Sequence, residues 1–342
     1  MSATSVLNIP PSKSTVSVSI IDTTLNGDLP TAPFMGPTMN GFERWYGVGY
    51  AFLVTHQDSA GKIRRVVHAH PDHIGRPSLF PSTASLIVGP GVKEAYFPGY
   101  PTIPDAPVLA REFEGREVRE LDFASTRIEI GGLKALDYFN DGSFYLLSAP
   151  GHAIGHINAL ARTTEDSFMY FAGDSFHHSS VLRPHGGATL PEEIQLPGHS
   201  CCSGRAFHAV HPVAGNSAAL GPYSKVLGEA GSDANGVPFH ALPEGGIFMD
   251  LEASRETVRA IQRFDASPDV FVVASHDSSL FSVVEVFPAD GRRCQHPIGD
   301  VVALDVQLIN AVDRARRASA SLDAVIEELF EGNSTETQSQ RS

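Results

Sequence analysis

Residues 66–75 read VVHAHPDHIG and place three histidines and one carboxylate within six positions, directly after an apolar run. Residues two apart in an extended segment point the same way, so His68 and His70 can reach one point from the end of a strand. The proline that follows suits a turn, from which Asp72 and His73 can face a second point nearby. Imidazole and carboxylate groups suit zinc, and two groups aimed at adjacent points indicate two metal ions. The alternative is a polar loop that is rich in histidine, in a chain with 15 histidines.

The pattern His68-x-His70-x-Asp72-His73 resembles the H-x-H-x-D-H signature of the metallo-β-lactamase superfamily. The resemblance implies the α/β class and a four-layer αβ/βα sandwich, with a mono- or di-zinc site at the edge of its two sheets. Three short motifs are similar to those of a lactonase-like subgroup common in filamentous fungi. They are residues 86–91 (LIVGPG), 142–147 (GSFYLL) and 151–156 (GHAIGH).

The same resemblance implies three further ligands, each at the end of a later strand. A predicted strand ends before His152, where the family has its third ligand of the first zinc, while His156 is expected to orient a ligand through a hydrogen bond. A second apolar run ends at Asp174, the family's place for the bridging carboxylate, although an ordinary turn aspartate would read the same way if it stood alone. A β-branched strand ends at His276, the place of the final ligand.

The resemblance divides these residues between two zinc ions. One ion would be bound by His68, His70 and His152, the other by Asp72, His73 and His276, with Asp174 between them. Zinc lowers the pKa of bound water from 15.7 to about 7, which provides hydroxide for attack on a carbonyl. Asp72 would orient the hydroxide and pass a proton to the leaving group. The implied function is a zinc-dependent hydrolase that opens a lactone or lactam ring of a small molecule, in secondary metabolism or detoxification.

Other functions remain open at this point. One alternative in the same class is a thioesterase acting on a glutathione or carrier-bound acyl thioester. An alternative of another class is an iron-dependent redox enzyme that uses the same ligands. A third is an inactive variant, because only the short segment 55–67 separates the predicted second strand from His68. The strand–helix unit that usually precedes the family motif is therefore shortened.

The chain of 342 residues is predicted as one metallo-β-lactamase-like domain over residues 15–330. Residues 1–14 are expected to form a loose N-terminal arm and residues 331–342 a disordered tail. Residues 22–46 are predicted as a long loop. Residues 184–246 are rich in Gly, Pro and Ser and are predicted to form long substrate-side loops. A helix is expected from residue 251 to about 264, capped by Asp250.

Composition limits the partners and the compartment. The formal net charge is −14, so a basic footprint for nucleic acid or an anionic membrane is not expected. Three cysteines, two of them adjacent, do not suit a disulfide framework and fit a reducing compartment. The amino terminus does not resemble a signal peptide and no apolar run is long enough to span a bilayer. We expect a cytoplasmic protein with a small-molecule substrate; the oligomeric state is left open.

Several further side chains are candidates for the pocket. Three histidines that follow Asp174 are expected to line it without binding metal: His177, His178 and His185. Four aromatic residues are candidates for an apolar wall, with simple packing as the alternative for each: Phe207, Tyr223, Phe239 and Phe248. Tyr223 is also a candidate for polarising a substrate carbonyl.

Overall fold

The computed structural model describes residues 3–56, 63–65, 76–189, 193–194, 202–203, 211, 223, 236–278, 280 and 286–287. The segments 24–26, 63–65, 193–194, 202–203 and 286–287 are described by their backbone alone. The metal motif at 66–75, with His68, His70, Asp72 and His73, lies outside the described residues. So do most of the predicted substrate-side loops and all of residues 331–342.

The described part of the chain forms many short strands and few helices. The strands are β1 (Ser17–Pro30), β2 (Arg44–Thr55), β3 (Ile63–Arg65), β4 (Leu86–Val88), β5 (Val118–Glu120), β6 (Ile128–Ile130), β7 (Leu133–Asp137), β8 (Phe144–Ser148), β9 (Ile157–Arg162), β10 (Phe168–Phe171), β11 (Glu193–Ile194), β12 (Cys202–Ser203), β13 (Val270–Val273) and β14 (Val286–Phe287). The α-helices are α1 (Ala3–Val6), α2 (Val92–Tyr96) and α3 (Leu251–Asp265), and short 3₁₀ turns lie at Pro77–Leu79, Ala110–Glu112 and Ser179–Val181. None of the helices in this part of the chain has the length and apolar character that crossing a bilayer requires.

Two mixed sheets carry most of these strands. One has the order β14-β1-β2-β3 and the other the order β13-β10-β9-β8-β7-β6. In the larger sheet β10 and β13 are parallel, whereas β8 pairs antiparallel with β9 and β9 pairs antiparallel with β10. β8, β10 and β13 therefore run in the same direction, and the turns that follow them leave the sheet at one edge.

The two sheets enclose a shared apolar core. Val18 and Ile20 of β1 belong to the same buried cluster as Leu146 of β8, Ala159 of β9 and Phe171 of β10. All residues of β9 and β10 are buried, because the larger sheet is covered on both of its faces. This explains why these strands read as continuous apolar runs and not as alternating ones.

Helix α3 covers the other face of the larger sheet. Its buried residues Val258, Ile261 and Phe264 belong to a second apolar cluster that includes Leu160 and Tyr170. As predicted, Asp250 caps the helix, and its side chain accepts a hydrogen bond from Ala253 N at 3.0 Å. With the sheets face to face and a helix on the larger sheet, the predicted α/β sandwich class is confirmed.

The amino-terminal segment differs from the expectation. Residues 3–14 are not a loose arm: Leu7 and Ile9 are buried in the cluster beneath the larger sheet. Gly131 N donates to Leu7 O at 2.8 Å, and a guanidinium nitrogen of Arg162 donates to Pro10 O at 2.7 Å. Apolar side chains at positions 7 and 9 therefore close a part of the core that the sheet alone leaves open.

The connection before the metal motif is short in the structure as well. β3 pairs antiparallel with β2, and Ile63 lies opposite Thr55. The strand that leads to residue 66 is thus the hydrogen-bonded neighbour of β2 in the smaller sheet. What the shortened strand–helix unit does to activity stays a prediction.

Candidate metal centre

Three of the sequence-predicted site residues meet at one sheet edge. His152 follows β8, Asp174 follows β10 and His276 follows β13, the three strands that run in the same direction. The Nε2 atoms of His152 and of His276 each lie 3.4 Å from Asp174 Oδ2, and all three side chains are buried. The other four predicted ligands lie outside the described residues, so their roles stay predictions.

A fourth residue, His177, joins this cluster, although the sequence predicts only that it lines the pocket. His177 Nε2 lies 3.5 Å from the same Asp174 Oδ2, and its side chain is 4% exposed. The possible ligand atoms of His152, Asp174 and His177 all lie within 4.8 Å of one another. No sequence signal separates His177 from the adjacent His178 in the same loop.

The turn that carries Asp174 is held from below by His156. Asp174 N donates to His156 Nε2 at 3.1 Å, and His156 Nδ1 donates to Ala149 O at 2.9 Å. Since Nε2 accepts and Nδ1 donates, this imidazole is neutral and has one defined tautomer. Gly173 is required here, because its φ is +52° and a Cβ would lie 2.8 Å from His156 Nε2. His156 thus has the orienting role that the sequence predicted for it.

The turn that carries His276 is tied to both sheets. Val48 O can only accept, so the 2.6 Å contact with His276 Nδ1 places the proton on Nδ1 and directs Nε2 towards Asp174. Ser275 N donates to Gly173 O at 3.0 Å, and Tyr50 N donates to Ser275 O at 2.8 Å. This arrangement, in which one nitrogen donates to a carbonyl and the other faces the site, is typical of metal-binding histidines.

The distances within the cluster fit a metal ion better than direct hydrogen bonds. A charged N–H···O hydrogen bond measures about 2.7–2.9 Å, whereas the three Nε2 atoms lie 3.4–3.5 Å from Asp174 Oδ2. Two donors at about 2.0–2.2 Å from one tetrahedral zinc ion lie roughly 3.4 Å apart. A nitrogen lone pair that faces a carboxylate oxygen is also repelled unless a cation or a proton lies between them. The donor set and its spacing therefore suit a metal.

Burial keeps His177 in the form that binds metals. Desolvation lowers the pKa of His177 to about 4, although the neighbouring Asp174 carboxylate acts in the opposite direction. The imidazole is therefore neutral at physiological pH, which is the state that a ligand needs.

Aromatic rings cover the cluster on one side. The ring of Phe248 lies 5.7 Å from that of His152 and 5.9 Å from that of His177, and Phe34 lies 5.0 Å from His177. Phe248 is one of the wall residues named from the sequence, and Phe34 is not. Phe239 is fully buried and packs on His211 at 4.6 Å, which agrees with simple packing.

No protein-family model matches the chain. Gamma-lactamase FDB1 of Fusarium pseudograminearum is 32% identical over 342 residues, which cover 82% of this chain and 78% of the relative. Metallo-hydrolase mfmC of Annulohypoxylon moriforme is 34% identical over 335 residues, covering 82% and 84%. The chain belongs to the metallo-β-lactamase superfamily. The family predicted from the histidine motif is therefore confirmed.

Other relatives of this superfamily member are much longer proteins. Cytochrome P450 monooxygenase mpaDE of Penicillium roqueforti is 35% identical over 339 residues, which cover 83% of this chain but 36% of the relative. The chain thus spans about a third of the length of that protein.

Proposed function

We propose that this chain is a zinc-dependent hydrolase that opens the lactone or lactam ring of a small molecule. The observation that carries the proposal is the convergence of His152 and His276 on Asp174 Oδ2, at the sheet edge where the family has its metal site. The relatives named gamma-lactamase and metallo-hydrolase support hydrolysis, and the first of these names favours a cyclic amide.

In this proposal Asp174 would be a ligand shared by two zinc ions. His152 would bind one ion with His68 and His70, and His276 would bind the other with Asp72 and His73. Zinc, when bound, supplies an activated water at neutral pH and polarises a carbonyl oxygen.

The remaining chemistry belongs to the protein. The backbone contact from His156 fixes the Asp174 turn, and the hydrogen bond to Val48 O fixes the ring of His276. Both contacts reduce the reorganisation that the site needs when substrate binds. Phe34 and Phe248 cover the histidines with apolar surface, which suits a substrate with an apolar body and one polar, hydrolysable group. Asp72 is proposed as the group that transfers the proton to the leaving atom.

Metal content and hydrolysis of a defined panel test this function. We expect about two zinc ions per chain in purified protein, and ring opening of lactones or γ-lactams in preference to acyclic thioesters. His152→Ala and Asp174→Ala should lose metal and activity together. His56→Ala is a matched control, since this buried histidine pairs with Asp141 at 2.8 Å, outside the cluster. Iron in place of zinc, or thioester hydrolysis without ring opening, would overturn the proposal.

A further inference from the structure

The imidazole of His177 faces the metal cluster as closely as the two family ligands do. Its Nε2 lies 3.5 Å from Asp174 Oδ2, compared with 3.4 Å for His152 and 3.4 Å for His276. Its ring is parallel to that of His276, with centroids 5.0 Å apart and 4° between the planes, and it lies 5.3 Å from the ring of His152. Three imidazoles thus surround one carboxylate oxygen, and the family ligand pattern accounts for two of them.

Of the two ring nitrogens of His177, it is Nε2 that faces a polar group. Phe34 and Phe248 pack on the ring, and the side chain is 4% exposed. Among the described residues, Nδ1 has no hydrogen-bond partner. A polar ring buried in apolar surroundings costs free energy unless its remaining contact is strong. The strong contact available at this position is the one shared with Asp174.

Two neighbouring histidines use their ring nitrogens differently. His156 uses both nitrogens in hydrogen bonds to backbone groups. His178, the next residue along the chain, lies 2.6 Å from Ser180 Oγ through Nδ1, which also accepts from Ser180 N. His177 differs from both, because its Nε2 faces a carboxylate that already has imidazoles on other sides.

We propose that His177 is an additional metal ligand, whose Nε2 binds the ion that His152 and Asp174 hold. The inference rests on the proposed metal site, and it adds a residue to the ligand set that the family resemblance supplies. A further imidazole increases the affinity of the site for the ion.

The test is the Zn²⁺ affinity of the metal-free protein, measured by competition with a chromophoric chelator. His177→Phe keeps the ring between Phe34 and Phe248 but removes both nitrogens, and His177→Ala removes the ring as well. Loss of groups that only orient ligands weakens metal binding about 10–100-fold, so loss of a ligand should weaken it on the order of 100-fold. The visible spectrum of the Co²⁺-loaded protein should also change in both variants.

Comparison variants separate the possible outcomes. His152→Ala should lose affinity in the same assay, and His56→Phe should keep the affinity of the parent. If His177→Phe binds Zn²⁺ like the parent while His152→Ala does not, His177 is a packing residue and the inference is wrong. If His152→Ala also keeps full affinity, the metal site itself is wrong. Thermal unfolding of each metal-free variant shows whether the fold is retained, and the phenylalanine variant preserves the packing if the alanine variant does not fold.

Discussion

At the scale of single residues, the site depends on which nitrogen of each histidine carries a proton. His156 and His276 both direct Nδ1–H to a backbone carbonyl, and these two contacts fix the Asp174 turn and the His276 ring. Neither contact is visible in the sequence, because the carbonyl of Ala149, just after β8, and that of Val48 in β2 meet these rings only in the assembled fold.

Removing the His156 ring tests this positioning role. His156→Ala leaves the Asp174 amide and the Ala149 carbonyl without their partner, which should destabilise the metal-free protein by roughly 1–3 kcal/mol. The Asp174 turn should also lose its alignment, so Zn²⁺ affinity should fall about 10–100-fold. Urea unfolding measures the first effect and chelator competition the second. Lost stability with unchanged affinity would show that His156 stabilises the fold without positioning the metal site.

The sequence predicted His152, Asp174 and His276 as ligands at strand ends. The structure places them after β8, β10 and β13 and brings them together, and their role as ligands stays a prediction. Sequence patterns offered no means to separate His177 from His178, because two adjacent histidines in a loop have no periodicity that shows where each one points. The short turn at Ser179–Val181 determines where the two rings point. The His178 side chain accepts a hydrogen bond from Ser180 N, and His177 faces Asp174.

At the scale of elements, helix α3 ends on an acidic residue, which the helix dipole disfavours. Asp265 is instead held by Arg183, whose Nε donates at 2.8 Å, and by His185 at 2.9 Å. Burial raises the pKa of Asp265, but the charge and hydrogen bonds of Arg183 outweigh it and leave the pKa at about 2. These contacts tie the segment after Asp174 to the helix.

The Asp265 contacts predict how stability depends on pH. The folded pKa of about 2 lies below the ordinary value of 3.8, so the contribution is present above about pH 4 and is lost as the pH falls through 2. Arg183→Met leaves a buried carboxylate without its cation and should cost about 3–5 kcal/mol at pH 7. The difference between parent and variant should shrink as Asp265 is protonated. An equal difference at pH 7 and pH 2.5 would contradict this account.

Strand boundaries were predicted less well than the helix. Residues 22–46 were expected to be a loop, but β1 continues to Pro30 and β2 begins at Arg44. The alternation of exposed Arg44, buried Trp45 and exposed Tyr46 is a strand signal. Gly, Pro and Asn residues between the two strands concealed it, since they are typical of turns.

At the scale of the whole molecule, the amino-terminal residues close the core. Ile9 is 3% exposed, and truncating a buried isoleucine typically costs 2–5 kcal/mol. Ile9→Ala should therefore lower the midpoint of urea unfolding clearly. Val6→Ala is the matched control, because Val6 is 55% exposed and its loss should change stability by less than about 0.5 kcal/mol. Equal effects of the two substitutions would support a loose arm after all.

The family resemblance predicted the sandwich fold. The apolar runs of β8 and β10 are consistent with strands that are buried on both faces. Local patterns could not indicate the packing of residues 3–14. Leu7 and Ile9 lie in a short segment with two adjacent prolines at 10–11, and their burial depends on contacts with distant residues of the cluster. A contact of this kind depends on the assembled fold and leaves no periodic signal.

The parallel pairing of β10 with β13, in which Phe171 lies opposite Val273, sets the precision of the site. A strand advances about 3.3 Å per residue, and Asp174 Oδ2 lies 3.4 Å from His276 Nε2. A slip of one residue in this ladder would therefore move the carboxylate by nearly its whole distance to its partner. The pairing of β10 with β13 thus sets the separation of two side chains in the proposed metal site.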